Sequence, residues 1–106
     1  METPLEVDVV TAARLHQEGA LLLDVREPFE VVTSVIAGSR HIPMRQIPES
    51  FNDLPRDRLI LVQCHHGGRS LRVTQFLRAN GFEQVSNVAG GIDAWAEQID
   101  PSLPRY

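Results

Sequence analysis

Arg58-Leu59-Ile60-Leu61-Val62-Gln63-Cys64-His65-His66-Gly67-Gly68-Arg69-Ser70-Leu71-Arg72-Val73-Thr74-Gln75-Phe76-Leu77-Arg78-Ala79-Asn80-Gly81 carries, in immediate succession, a strand, a short polar loop and a helix. Leu59 to Val62 are apolar without alternation, as in a strand covered on both faces of a parallel sheet. A helix is predicted over Ser70–Asn80, with Gly81 as its terminator. Only the loop from Cys64 to Arg69 separates the two.

Working outward, the same alternation recurs. Asp8 is an N-cap for a helix over Val9–Glu18, which Gly19 stops. Leu21-Leu22-Leu23-Asp24-Val25 reads as a second buried strand, and Glu27–Thr33 as a helical turn entered through Pro28. Residues 34–57 are irregular, with a short strand at His41-Ile42-Pro43 and a short helix at Glu49–Leu54. Val85-Ser86-Asn87-Val88 gives another strand, Gly90-Gly91 a tight turn, and Ile92–Ile99 the last helix, with Trp95 facing the core. The fold class is therefore α/β: a central parallel sheet of about five strands with helices on both faces. One domain is expected over 1–106, with a core over about 5–99 and an extended tail over 100–106. In such sheets, ligands bind beyond the carboxyl ends of the strands. Asp24–Glu27, Cys64–Arg69 and Ala89–Gly91 all fall there.

Composition narrows the function classes. The 106 residues include ten Arg and no Lys against fourteen acidic residues, a net charge of −4 that gives no general attraction to nucleic acid or anionic membrane. No apolar run approaches the roughly 20 residues of a membrane span. Met1-Glu2-Thr3-Pro4 lacks the basic and apolar regions of a secretion signal. The single cysteine excludes an internal disulfide and fits a reducing compartment, so a cytoplasmic location is expected.

The loop supplies a reason for that cysteine. Gly67 and Gly68 permit positive φ, letting successive amide N–H groups turn inward as an anion-binding nest. The helix near Ser70 directs its positive end at the same place, Ser70 is expected to cap it, and Arg69 adds a charge. A thiol so placed is ionised more readily than the ordinary cysteine and becomes a nucleophile. The alternative, an inert cysteine ending a core strand, sits poorly with six following residues that contain no aliphatic side chain.

Cys64-His65-His66-Gly67-Gly68-Arg69-Ser70 resembles the active-site loop of single-domain rhodaneses, Cys-x-x-Gly-x-Arg-Ser. The resemblance extends to Leu22-Leu23-Asp24-Val25-Arg26-Glu27 and to Gly90-Gly91-Ile92-Asp93-Ala94-Trp95, covering about residues 5–99. One departure is at Ser34 and Val35, where the family usually has Gly-His. The resemblance implies a sulfurtransferase in which Cys64 takes sulfane sulfur from a small anionic donor such as thiosulfate, holds it as a persulfide, and yields it to a thiol or to cyanide. The implied acceptor thiol is a small molecule's or a protein's, no metal or organic cofactor is implied, and the resemblance makes His65 to Ser70 the anion-binding loop. Asp24 and Arg26 are expected to support that loop rather than to react. His65 and His66 are expected to contribute backbone amides, with their rings in solvent.

Two other functions remain open at this point. One is a relay module passing persulfide sulfur between proteins during cofactor or transfer-RNA thiolation, because the tail from Ile99 to Tyr106 resembles that of rhodanese domains fused to adenylating enzymes. The other is a phosphatase or arsenate reductase using the same thiolate. Four residues separate Cys64 from Arg69, whereas tyrosine-phosphatase-like enzymes have five, and the smaller loop favours sulfur over a tetrahedral phosphate.

Overall fold

Leu21 to Asp24 and Ile60 to Gln63 lie side by side at the centre of a parallel sheet, residue paired with residue from Leu21–Ile60 to Asp24–Gln63. The structure, a computed structural model, describes residues 3–106, so Met1 and Glu2 of the acidic start lie outside the described residues. In chain order the elements are β1 (Glu6–Val7), α1 (Val9–Gln17), β2 (Leu21–Asp24), α2 (Pro28–Thr33), β3 (Arg40–His41), α3 (Ile47–Ser50), β4 (Ile60–Gln63), α4 (Gly68–Ala79), β5 (Val85–Val88) and α5 (Gly91–Gln98). The sheet order is β1-β5-β4-β2-β3, and every pairing is parallel.

Alternate residues of the central strands feed two cores. Leu23, Ile60 and Val62 pack with Val73 and Leu77 of α4 and with Ile47 of α3. Leu22 and Leu61 pack on the other face with Val9 and Ala12 of α1 and with Ile92 and Trp95 of α5. Both directions being apolar, the strands show no polar alternation, and the α/β class read from the sequence holds.

Local chemistry sets most boundaries. Asp8 Oδ1 accepts from Thr11 N at 2.8 Å to cap α1. Glu27 and Glu30 form a reciprocal capping box around Pro28 at the start of α2. The short helix expected at Glu49–Leu54 begins earlier, at Ile47, with Pro48 in its first turn, and passes at Phe51 into a 3₁₀ turn. β1, two residues long, is too short for a periodicity to mark it. The tail is not extended as expected. It turns at Pro101–Ser102, where Leu103 N bonds Asp100 O at 3.1 Å, and Leu103 packs against the Trp95 core.

No helix among the described residues is long and apolar enough to cross a membrane. His16 and His41, for which the sequence offers no partner, are both hydrogen-bonded to the main chain: His16 lies between Ala20 O and Ala37 O, and His41 Nε2 is 2.7 Å from Arg26 O.

Candidate active site

Cys64 follows β4, and its sulfur lies at the base of the loop, in a residue only 1% exposed. Three donors converge on Sγ: Gly67 N at 3.1 Å, Ser70 N at 3.4 Å and Ser70 Oγ at 3.3 Å. Burial pushes the thiol pKa up. The bonds from the Ser70 hydroxyl and from the Ser70, Gly67 and His66 amides outweigh it and bring the pKa below the ordinary value. These donors favour the thiolate over the thiol relative to an ordinary cysteine.

The amides face inward because the loop's carbonyls are anchored outward. Ile92 N donates to Cys64 O at 2.8 Å and Asp93 N to His65 O at 3.1 Å, so the start of α5 takes both. In a trans peptide the N–H lies opposite the C=O, which turns the His65 and His66 amides towards the loop interior. Gly91 makes this docking possible. It has φ +56°, and a Cβ there would stand 2.3 Å from Cys64 O and 2.6 Å from His65 O.

Two details of the loop differ from the sequence reading. The helix starts at Gly68, and Gly67, at φ +114°, occupies the cap position assigned to Ser70. Gly68 itself takes no positive φ. Ser70 is the third residue of α4 and is fully buried, so its hydroxyl serves the sulfur instead of the helix end.

Arg69 does not reach the thiol either. Its two terminal nitrogens bind the carboxylate of Glu30 at 2.7 and 2.9 Å, side by side. Glu30 also accepts from Glu27 N at 3.0 Å and from Tyr106 Oη at 2.7 Å, which occupies the remaining lone pairs. Led by the Arg69 bonds and opposed by burial, these partners hold the Glu30 carboxyl at about 2, against an ordinary 4.5. A depressed carboxylate contributes stability that is complete above about pH 4.5 and is lost as pH falls towards 2. Glu30→Gln is therefore expected to lose less melting temperature than the unmutated protein between pH 7 and pH 3, a comparison that thermal scans at the two pH values make directly.

Asp24 and Arg26, expected to support the loop, are both fully buried. The Arg26 Nε lies 3.0 and 3.2 Å from the two Asp24 oxygens, and Nη2 bonds Asp24 Oδ2 and Ser34 O, each at 2.7 Å. Nη1 donates to Glu30 O at 3.3 Å and to Tyr106 Oη at 2.8 Å, so all five guanidinium N–H groups have acceptors.

The histidines part company. The His66 ring is exposed as expected. The His65 ring is instead stacked on Tyr106, with ring centres 4.1 Å apart and planes within 9°, and lies 3.9 Å from the His66 ring centre. Burial first, and then the neighbouring His66, lower the His65 pKa and favour the neutral ring. Asp93 of α5 joins this corner, and its carboxylate together with His65 and His66 offers ligand atoms within 4.8 Å of one another. Both Asp93 oxygens accept from Arg105, at 3.1 and 3.2 Å, so an ion there would compete with that guanidinium. Glu30, Asp93 and Tyr106 were not among the residues singled out from the sequence. A capping position shows in the sequence at Glu30, but no spacing rule links Tyr106 to a residue 80 positions away.

The profile of the rhodanese-like domain matches residues 9–98. The chain belongs to the rhodanese-like domain family. This rhodanese-like chain is 37% identical over 79 residues to a sulfurtransferase of Allochromatium vinosum, covering 74% of each protein. It is 38% identical over 96 residues to the chloroplastic rhodanese-like/PpiC domain-containing protein 12 of Arabidopsis thaliana, covering 87% of this chain but only 32% of that longer protein. The crystal structure of a rhodanese-related protein from Thermoplasma volcanium superposes with a TM-score of 0.82 at 32% identity, covering 93% of this chain and 94% of that one. Membership of this family, with a relative named as a sulfurtransferase, supports sulfurtransferase activity in general terms.

Proposed function

We propose that this rhodanese-like chain transfers sulfane sulfur through a persulfide on Cys64, with thiosulfate or a comparable small sulfur anion as donor and a thiol or cyanide as acceptor. The observation that carries this reading is the convergence of the Gly67 and Ser70 amides and the Ser70 hydroxyl on one sulfur atom.

In the first step the Cys64 thiolate attacks the outer sulfur of thiosulfate. The new S–S bond forms as the old one breaks, and sulfite leaves with the bonding electron pair. In the second step an acceptor thiolate or cyanide attacks the outer sulfur of the persulfide, and the Cys64 thiolate is regenerated. Sulfur carries negative charge before and after each step, so the same fixed donors stabilise the resting, loaded and departing forms without reorganising. No residue is required to move a proton, and no metal or organic cofactor enters the scheme. The expected setting is the cytoplasm, whose reducing chemistry keeps Cys64 free.

Intact-mass measurement after incubation with thiosulfate is expected to show a gain of about 32 Da that cyanide removes. No gain from thiosulfate, but a gain from a protein persulfide, would move the assignment to the relay module. Turnover of a phosphate ester with no sulfur adduct would overturn it.

A further inference from the structure

The sulfur chemistry uses the loop and leaves the tail unexplained. From Asp100 onward the chain doubles back over α5 and ends against the active-site loop. Leu103 packs beside Trp95, and Arg105 reaches Asp93 and, at 3.4 Å, Glu97. Tyr106 then lays its ring flat on His65 of the loop while its hydroxyl accepts from Arg26 and donates to Glu30 of α2. One side chain thus spans from the Cys64 loop to α2, whose Glu30 binds Arg69.

The manner of attachment separates this from ordinary tail packing. Trp95, which completes the core, is 5% exposed, whereas Tyr106 remains 43% exposed. Its hydroxyl gives both of its hydrogen-bonding roles to Arg26 and Glu30, and its ring rests on the residue next to Cys64. Arg105 is itself half exposed, with its acidic partners Asp93 and Glu97 also reaching solvent, so this anchor is solvent-screened and releasable. The ring is thus fixed from two sides, hydrogen-bonded to Arg26 and Glu30 and stacked on His65, the neighbour in sequence of a thiol that is itself buried.

We propose that Tyr106 is a specificity-determining wall of the opening above Cys64, admitting thin, unbranched sulfur carriers and holding back groups as broad as an aromatic ring. Inorganic sulfur anions, and a cysteine at the tip of an extended chain end, fit that description. The inference rests on Cys64 being the sulfur carrier, but its test does not depend on sulfur transfer.

Iodoacetamide and its N-benzyl derivative attack the same thiolate with the same reactive group, so the ratio of their rates cancels any change in thiolate fraction and reports width alone. In the full chain, Tyr106→Ala is expected to raise the benzyl-to-parent ratio about tenfold. Tyr106→Phe keeps the ring but loses both hydroxyl anchors, and is expected to raise the ratio two- to threefold. A residue that only stabilised the fold would move the melting temperature and leave the ratio alone. An unchanged ratio in folded Tyr106→Ala overturns the proposal. If that variant does not fold, an unchanged ratio in Tyr106→Phe overturns it instead. A raised ratio in a protein that gains no sulfur from any donor would leave the wall standing and remove the sulfur-transfer reading.

Discussion

Cys64→Ser is expected to abolish the thiosulfate adduct and to lower sulfur transfer by more than about a thousandfold, ~4 kcal/mol of barrier, because serine offers neither a thiolate nor an atom that can bear a second sulfur. Intact-mass and cyanide-discharge measurements read the two losses separately. The fold should survive. A serine oxygen can accept from the same Gly67 and Ser70 donors, and the change removes little volume from the core that Cys64 shares with Val62 and Val73. A variant that melts like the unmutated protein yet still gains sulfur would show that the nucleophile lies elsewhere.

The second large effect is on stability and comes from Arg26. Removing a fully buried guanidinium strands the Asp24 carboxylate beneath it and also frees Ser34 O, Glu30 O and the Tyr106 hydroxyl. Breaking such a pair from one side costs about 3–5 kcal/mol, a large share of the roughly 5–15 kcal/mol that holds a domain together. Arg26→Ala is therefore expected to melt about 15–25 °C lower. Arg26→Lys should recover little of this, because an ammonium cannot direct five bonds to acceptors on three sides. Urea or thermal unfolding checks both. A loss under 1 kcal/mol for either variant would mean that water replaces the guanidinium freely.

The architecture and the loop were legible in the sequence for the same reason: both are written in local pattern. Unalternating runs such as Leu59–Val62 announce strands buried on both sides, and a cysteine followed by His-His-Gly-Gly-Arg announces a tight polar turn. Asp24 and Arg26, two residues apart at a strand end, are close enough in sequence for their pairing to be expected, and the structure joins them. What escaped depends on distant parts of the chain meeting. Arg69 looked like a free cation beside the thiol because nothing local shows that Glu30, 39 residues earlier, takes both of its terminal nitrogens. The His65 ring looked solvent-exposed because its cover comes from the far end of the chain. Ser70 was assigned to the helix end by residue type, but Gly67, free to adopt positive φ, took that position and left the hydroxyl for the sulfur.

The chain has one cysteine, at the bottom of its loop. A second thiol among these residues would let a loaded site unload itself by closing a disulfide, but Cys64 is the single cysteine of the 106. Under the proposed chemistry, the one thiol of these 106 residues takes up one sulfur per cycle, and the loaded form waits for an outside acceptor. In that scheme the second half of the cycle depends on encounters with an outside nucleophile.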